Sequence, residues 1–312
     1  MTSAKDFRAA RSWLFVPGDS ERKIARSLDS DADALVFDLE DSVAQEAKLA
    51  ARALVAQVVP QARAARPATT IVVRINALET GMAADDFSAL LGTSPDAILL
   101  PKANDAATIG AIADIMEAIE AGSLKTPILA IATENALATF RLREIATAHP
   151  RVKGIAFGVE DLAATMGLGR TRTEEGYLLP VFQTVRHLAV LAAHSAGIAA
   201  IDTPQSLLDR PDLLQVEARE ASASGFTGKF ALHPNQVPPI NEALRIDWQA
   251  RAEAEDILDI SQNGGGSVFR YKGRMIDAPH LQAARVLLAR AQGQDRMPSS
   301  ERRGPTTKGR TP

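Results

Sequence analysis

The residues of this chain best placed to do chemistry are carboxylates that directly follow short apolar runs. Asp38, Glu40 and Asp41 follow Ala34–Phe37, Glu134 follows Ile128–Ala132, and Glu160 and Asp161 follow Gly154–Phe157. Two carboxylates on neighbouring strand ends, Glu134 and Asp161, could hold one hard divalent cation while leaving positions for water and a chelating substrate, as Mg2+ favours. The same two residues could instead cap the helices that follow or pair with a base. Arg74 ends Ile71-Val72-Val73. Its guanidinium suits a substrate carboxylate or a developing oxyanion, and a structural ion pair with Glu40 or Asp41 is its other use. Lys102, in Leu100-Pro101-Lys102, could form a Schiff base, but a lysine among several carboxylates is better served by staying protonated and paired.

The five histidines do not form a metal set. His187 and His194 lie on one expected helix without the i, i+4 spacing of a zinc motif, and His149 precedes Pro150 in a loop. His233 and His280 alone fall near the expected site, where a structural hydrogen bond is the competing reading.

The elements that must position these groups are eight β-type runs: Ser12–Val16, Ala34–Phe37, Thr70–Arg74, Ala97–Leu100, Ile128–Ala132, Gly154–Phe157, Ile198–Ile201 and Lys229–Leu232. Their starts lie roughly 20 to 45 residues apart with helix-like stretches between, the interval of alternating βα units. The runs are continuous rather than alternating in polarity, which suits parallel strands buried on both faces. Eight such units predict a (β/α)8 TIM barrel, an α/β fold whose catalytic groups gather at the C-terminal ends of the strands. An open doubly wound sheet would carry a Gly-rich G-x-G-x-x-G turn after the first strand. The sequence there is Pro17-Gly18-Asp19-Ser20-Glu21-Arg22-Lys23, a turn leading to a helix start with Ser20 or Asp19 as N-cap.

Composition agrees with an enzyme-sized domain. The chain has 312 residues, 46% of them hydrophobic, with 35 Lys and Arg against 38 Asp and Glu. A formal charge of -3 gives no nucleic-acid or membrane surface. With no cysteine, disulfides, thiolate metal sites and a cysteine nucleophile are excluded. No apolar stretch reaches the length of a signal core or membrane span, so a cytoplasmic protein is expected.

The barrel is expected over residues 1–240 and a C-terminal segment over 241–292. In that segment a charged helix, Asn241–Ser261, is broken at Asn263-Gly264-Gly265-Gly266. A hairpin then turns at Lys272-Gly273, and a last helix runs from Pro279 through about Arg290. A segment this small cannot hold a core alone and must dock on the barrel or on a neighbouring subunit. Residues 293–312, rich in Pro, Gly, Ser, Thr and Arg, read as a disordered tail.

Nine segments in order, RSWLFVPG, DADALVFDLEDSV, VRIN, LLPKA, ATEN, AFGVEDLAATMG, AIDTP, GFTGKFALHPNQ and GRMIDAPHLQAA, span residues 11–284. Together they resemble the citrate lyase β-subunit-like (HpcH/HpaI aldolase/citrate lyase) family of barrel enzymes, which cleave or form carbon–carbon bonds in acyl-CoA thioesters. The resemblance implies Glu134 and Asp161 as Mg2+ ligands, and Arg74 as the arginine holding the oxo-acid portion. It implies Asp277 as an acid/base aspartate on a lid that covers a neighbouring subunit in a trimer or hexamer. Asn135 stands where the family usually has Thr, next to the ligand but not replacing it.

The implied activity is Mg2+-dependent cleavage of a malyl-, citramalyl- or citryl-CoA-type thioester to a 2-oxo acid and acetyl-CoA, by a homo-oligomer. Alternatives are a malyl-CoA-type thioesterase and a citrate lyase β subunit that works with a carrier protein. The lid favours the free-standing lyase. Glu40 and Asp41 are expected to assist catalysis and orient Arg74, and Lys102 to sit at the substrate. Arg11, Lys23 and the helix start near Ser20 are reasonable contacts for CoA phosphates, since basic side chains and a helix N-terminus suit anions.

Overall fold

The computed structural model describes residues 5–121, 125–265 and 267–297. Eight parallel strands close into a barrel in chain order: β1 (Ser12–Pro17), β2 (Ala34–Asp38), β3 (Thr70–Arg74), β4 (Ala97–Leu100), β5 (Ile128–Ile131), β6 (Val152–Ala156), β7 (Ala199–Asp202) and β8 (Gly228–Ala231). β8 pairs back onto β1 through Ser12 and Lys229. The TIM barrel is as expected, and each strand lies within two residues of its expected run.

Around it run α1 (Glu21–Leu28), α2 (Lys48–Ala65), α3 (Ala83–Leu90), α4 (Ala106–Glu120), α5 (Ala136–Thr139), α6 (Leu142–Thr147), α7 (Glu160–Thr165), α8 (Pro180–Ala196), α9 (Pro211–Ser224) and α10 (Val237–Ala243). α10 crosses the expected boundary at 240 and buries Ile240 in the barrel's outer core. Gly122, a residue type that suits a helix stop after α4, lies outside the described residues.

The period of two along each strand sorts side chains into two cores. Trp13, Val36, Val72, Leu99, Leu129, Ile131, Ile201 and Phe230 fill the lumen. Leu14, Leu35, Phe37, Ile71, Val73, Ile98 and Leu100 pack outward against the helices. Continuing the lumen set by one step on β2 and β3 brings Asp38 and Arg74 to the mouth of the barrel. Gly18 tightens the turn after β1: its N–H donates to the Asp38 carbonyl at 2.9 Å, and a Cβ there would meet that oxygen at 2.6 Å.

The C-terminal arm comprises α11 (Trp248–Ile260), a π-helical turn (Ser261–Gly265), the hairpin β9 (Phe269–Tyr271) and β10 (Arg274–Ile276), and α12 (Ala278–Gln294). The glycines expected to form a loose linker thus extend the helix by one wider turn, as far as the described residues go. Lys272 and Gly273 have φ of 45° and 80°, the double left-handed turn that matches strand twist in a two-residue hairpin. Asp277 is the N-cap of α12, and α12 runs past Arg290 into the expected tail. The rest of that tail, 298–312, lies outside the described residues. Ala254, Ile257, Ile276, Leu281 and Ala284 give the arm its own small core. The arm meets the barrel at the strands' N-terminal end, where Arg290 donates to the Thr227 carbonyl at 3.2 Å and Gln294 accepts from the Ile246 N–H at 3.0 Å. No helix among the described residues is long and apolar enough to cross a membrane.

Candidate active site

A cavity of about 400 Å³ opens at the C-terminal mouth of the barrel. Phe15, Ile131, Phe157 and Phe230 form its apolar floor; Arg74, Asp38, Asp41, Glu134, Glu160 and Asp161 supply its charges. The barrel thus brings together residues from strands as far apart in the chain as Phe15 on β1 and Phe230 on β8, as the barrel rule requires.

Arg74 is held from several directions. Its Nε and Nη2 each donate to Asp38 at 2.7 Å, and its plane lies over the Phe15 ring, 4.9 Å from the centroid. Nη1 faces Glu40 Oε2 at 2.7 Å and Asp41 Oδ2 at 3.4 Å. The Glu40 contact is close but off the hydrogen-bond direction, since Glu40 Oε2 has no aligned donor. Burial opposes ionisation of Asp38, but the Arg74 pair, with donors from Ser42 and the Glu40 N–H, outweighs it and holds the carboxyl below its ordinary range. Arg74 is raised in turn: burial opposes its charge, and Asp38, Glu40 and Asp41 more than compensate.

Glu40 and Lys102 stand behind this wall rather than on it. Lys102 Nζ donates to Glu40 Oε1 at 2.5 Å, and neither residue lines the cavity. The expected substrate contact by Lys102 is therefore replaced by the pairing role, because the buried Glu40 carboxylate needs a second cation. Asp41 is different: its side chain is 56% exposed and lies on the wall.

Lys102 also positions Glu134. Its φ of 52°, a left-handed value rare for a residue with a Cβ, turns its backbone N–H onto Glu134 Oε2. Gly158 leaves room on the other side, where a Cβ would meet Ile131 at 2.9 Å and Glu134 Cγ at 3.2 Å. Burial, then the charges of Asp161 and Glu40, push the Glu134 carboxyl up to about 8 despite the Lys102 donor. A buried acid facing a second acid is a site short of positive charge. No cluster of three or more metal-ligating side chains occurs among the described residues. A pair leaving most coordination positions to water and substrate is what Mg2+ accepts, so Glu134 and Asp161 fit that ion.

Lys23 lies in a second cavity of about 270 Å³, which shares Phe15, Pro17 and Leu232 with the first. Arg22 and Arg26 join it there. Sequence reasoning missed these two, although the pattern Arg22, Lys23, Arg26 on one helix is a basic face at i, i+3 and i+4 spacing. Arg11 is a correction. It precedes β1 at the opposite end of the barrel, where Asp33 takes its Nε and Nη2 at 2.7 and 3.0 Å. Its neighbourhood in sequence to the first strand concealed that the strand's length separates it from the mouth. His233 also lines the second cavity, and its Nδ1 accepts from the Asn235 N–H at 3.2 Å, the structural bond expected of it. Asp277 lies apart: no described residue of the C-terminal arm lines the cavity of its own barrel, and Asp277 Oδ1 pairs with His280 Nδ1 at 2.5 Å.

A TIM barrel with paired acids, a buttressed arginine and an adjoining basic groove defines a class of site, one that can hold a divalent cation and an anionic substrate at the C-terminal ends of the strands. The chain belongs to the HpcH/HpaI aldolase/citrate lyase family, whose model matches residues 11–234. It is 32% identical to a (3S)-malyl-CoA thioesterase of Cereibacter sphaeroides over 90% of this chain and 94% of that protein. It is 30% identical to an L-malyl-CoA/beta-methylmalyl-CoA lyase of the same species, over 91% and 95%. Among solved structures it resembles protein CitE of Mycobacterium tuberculosis in complex with magnesium, acetoacetate and coenzyme A. The TM-score is 0.73 with 34% identity, covering 92% of this chain and all of that one.

Proposed function

We propose that this protein is a Mg2+-dependent lyase that splits a β-hydroxyacyl-CoA thioester into a 2-oxo acid and acetyl-CoA. The observation that carries the reading is Glu134, a buried carboxyl pushed up to about 8 beside Asp161 and Arg74 in a closed-floored cavity. Glu134 and Asp161 would hold the ion, which when bound supplies Lewis-acid polarisation of the oxo-acid oxygens.

The chain's own residues do the rest. Arg74, fixed by Asp38, presents Nη1 to the oxygen that becomes the ketone. Asp41, on the wall beside it, accepts the substrate hydroxyl proton. As the carbon–carbon bond breaks, its electron pair passes to the thioester enolate. Asp277, from a second copy of the chain, is the acid that delivers a proton to the enolate carbon and gives acetyl-CoA. Glu40 and Lys102 position Arg74 and Glu134 from behind. The CoA phosphates lie along Arg22, Lys23 and Arg26.

Arg74 is the one cation on the cavity wall among the described residues, against five acids. With the ion on one substrate carboxylate and Arg74 committed to Asp38 and to the oxygen that becomes the ketone, the wall offers no further cation for a second carboxylate. The oxo acid is therefore monocarboxylic, and calorimetry with Mg2+ should show glyoxylate or pyruvate binding more tightly than oxaloacetate. The reverse order would remove this restriction.

The composite site is tested by complementation. Arg74→Met and Asp277→Asn are each expected to be inactive, and hybrid oligomers formed by co-expression should regain activity. Hybrids as inactive as the parents would place Asp277 outside the mechanism. Hydrolysis at the same site is the second reading, favoured by the thioesterase relative, and free CoA as product distinguishes it.

A further inference from the structure

At the far end of the barrel a groove of about 720 Å³ lies between the strand starts and the C-terminal arm. Ile198, Thr227 and Ile246 line it on one side, and Val286, Leu287 and Arg290 of α12 on the other. α12 packs Leu281 and Ala284 into the core of the arm, and Leu287 bridges that core and the groove. Along the groove α12 presents Gln282, Ala283, Val286 and Leu287 and ends in a cation, and no described residue fills the space between it and the strand starts.

Arg290 is the unusual member. Arg8 and Arg245, which also line the groove, have carboxylate partners in Asp6 and Glu242. Arg290 spends Nη2 on two backbone carbonyls, Thr227 at 3.2 Å and Leu244 at 3.5 Å, while its Nε is buried without an acceptor. Asp6 acts on it only at a distance, and Arg11 opposes it. Asp247, the one acid on the groove wall among the described residues, caps α11 through the Ala250 N–H. Burial lowers the Arg290 pKa to about 10, which leaves it charged at neutral pH. A largely buried guanidinium with no carboxylate in hydrogen-bond contact among the described residues forgoes its strongest hydrogen bonds.

We propose that this groove binds a small amphipathic anion, a carboxylate on a short apolar chain. Its charge pairs with Arg290, and its chain lies on Ile198, Ile246, Val286 and Leu287. The site is distinct from the catalytic cavity of its own barrel and lies at that barrel's opposite end.

His194 lines this groove, whereas His233 lies at the other end beside the catalytic cavity. The full chain labelled with [13C]histidine is titrated with hexanoate, with hexanol and with inorganic phosphate, without Mg2+, at constant pH and ionic strength. Hexanoate is expected to shift the His194 signal saturably and to leave His233 in place. Hexanol and phosphate, each lacking one half of the required chemistry, should bind at least about tenfold more weakly. Arg290→Lys should keep hexanoate binding within a few-fold, and a folded Arg290→Met should weaken it about tenfold or more. The proposal is overturned if His194 does not respond, if His233 alone responds, if hexanol equals hexanoate, or if the charge at 290 makes no difference.

Discussion

Asp38 and Arg74, paired in register on adjacent strands, face each other across the barrel mouth through two hydrogen bonds of 2.7 Å. The fork is rigid because both side chains are buried and the Phe15 ring lies against the guanidinium. One edge of the arginine is therefore fixed by the protein, and the other is turned to Asp41 and the cavity.

Arg74→Lys keeps a charge but cannot make both bonds to Asp38 and still reach the cavity. The expected loss in kcat is about 10²–10³-fold, the usual effect of removing one oxyanion donor, with a smaller change in oxo-acid affinity. Steady-state kinetics decide it: near-normal kcat would assign Arg74 to structure alone.

Glu134 makes metal binding pH-dependent. Its folded pKa is raised from 4.5 to about 8, so its contribution to stability is present below 4.5 and is lost as pH rises through 8 in the metal-free protein. Mg2+ must displace the proton, so binding strengthens as pH rises toward 8. The rise in melting temperature on adding Mg2+ should grow between pH 6.5 and 8.5 and vanish in Glu134→Gln. An increment that is flat with pH would contradict the assignment.

Asp277→Asn should abolish turnover while leaving Mg2+ and oxo-acid binding unchanged by calorimetry, because no described residue of the arm lines the cavity of its own barrel. Loss of metal binding in this variant would mean that the arm shapes the site rather than supplying a proton.

The loop after β7 that carries Thr203, Pro204 and Ser206 into the cavity is held by a buried network. Asp202 pairs with Arg186 and Lys229, and Lys229 Nζ also donates to the Thr203 carbonyl at 2.7 Å. Burial opposes the Asp202 charge, but its two cations bring the carboxyl down to about 2 from 3.8. The stability this provides, about 2 kcal/mol, is present above pH 4 and is lost as pH falls through 2. Lys229→Met leaves the Asp202 and Glu217 carboxylates short of a cation, with an expected cost of about 3–5 kcal/mol. Chemical denaturation measures it, and a change within 1 kcal/mol would sink the reading.

Much of this was legible in the sequence, and for identifiable reasons. Parallel strands buried on both faces read as unbroken apolar runs, so the barrel and the rim positions of Asp41, Arg74, Glu134 and Asp161 followed from run ends alone. What the runs do not encode is which side chains stand in front. Glu40 and Asp41 are chain neighbours, yet only Asp41 reaches the cavity, and Lys102 turns away because its backbone is committed to Glu134. Arg11 misled because chain proximity to β1 says nothing about which end of the strand it occupies. The basic face of α1 was visible only once the groove beside it was known.

The central claim is carbon–carbon cleavage of an acyl-CoA. The protein with Mg2+ is incubated with malyl-, citramalyl- and citryl-CoA, and the products are identified by mass spectrometry. The account predicts acetyl-CoA with glyoxylate or pyruvate in equal amounts and little reaction of citryl-CoA. Free CoA with an intact hydroxy acid, or no product from any of the three, would contradict it.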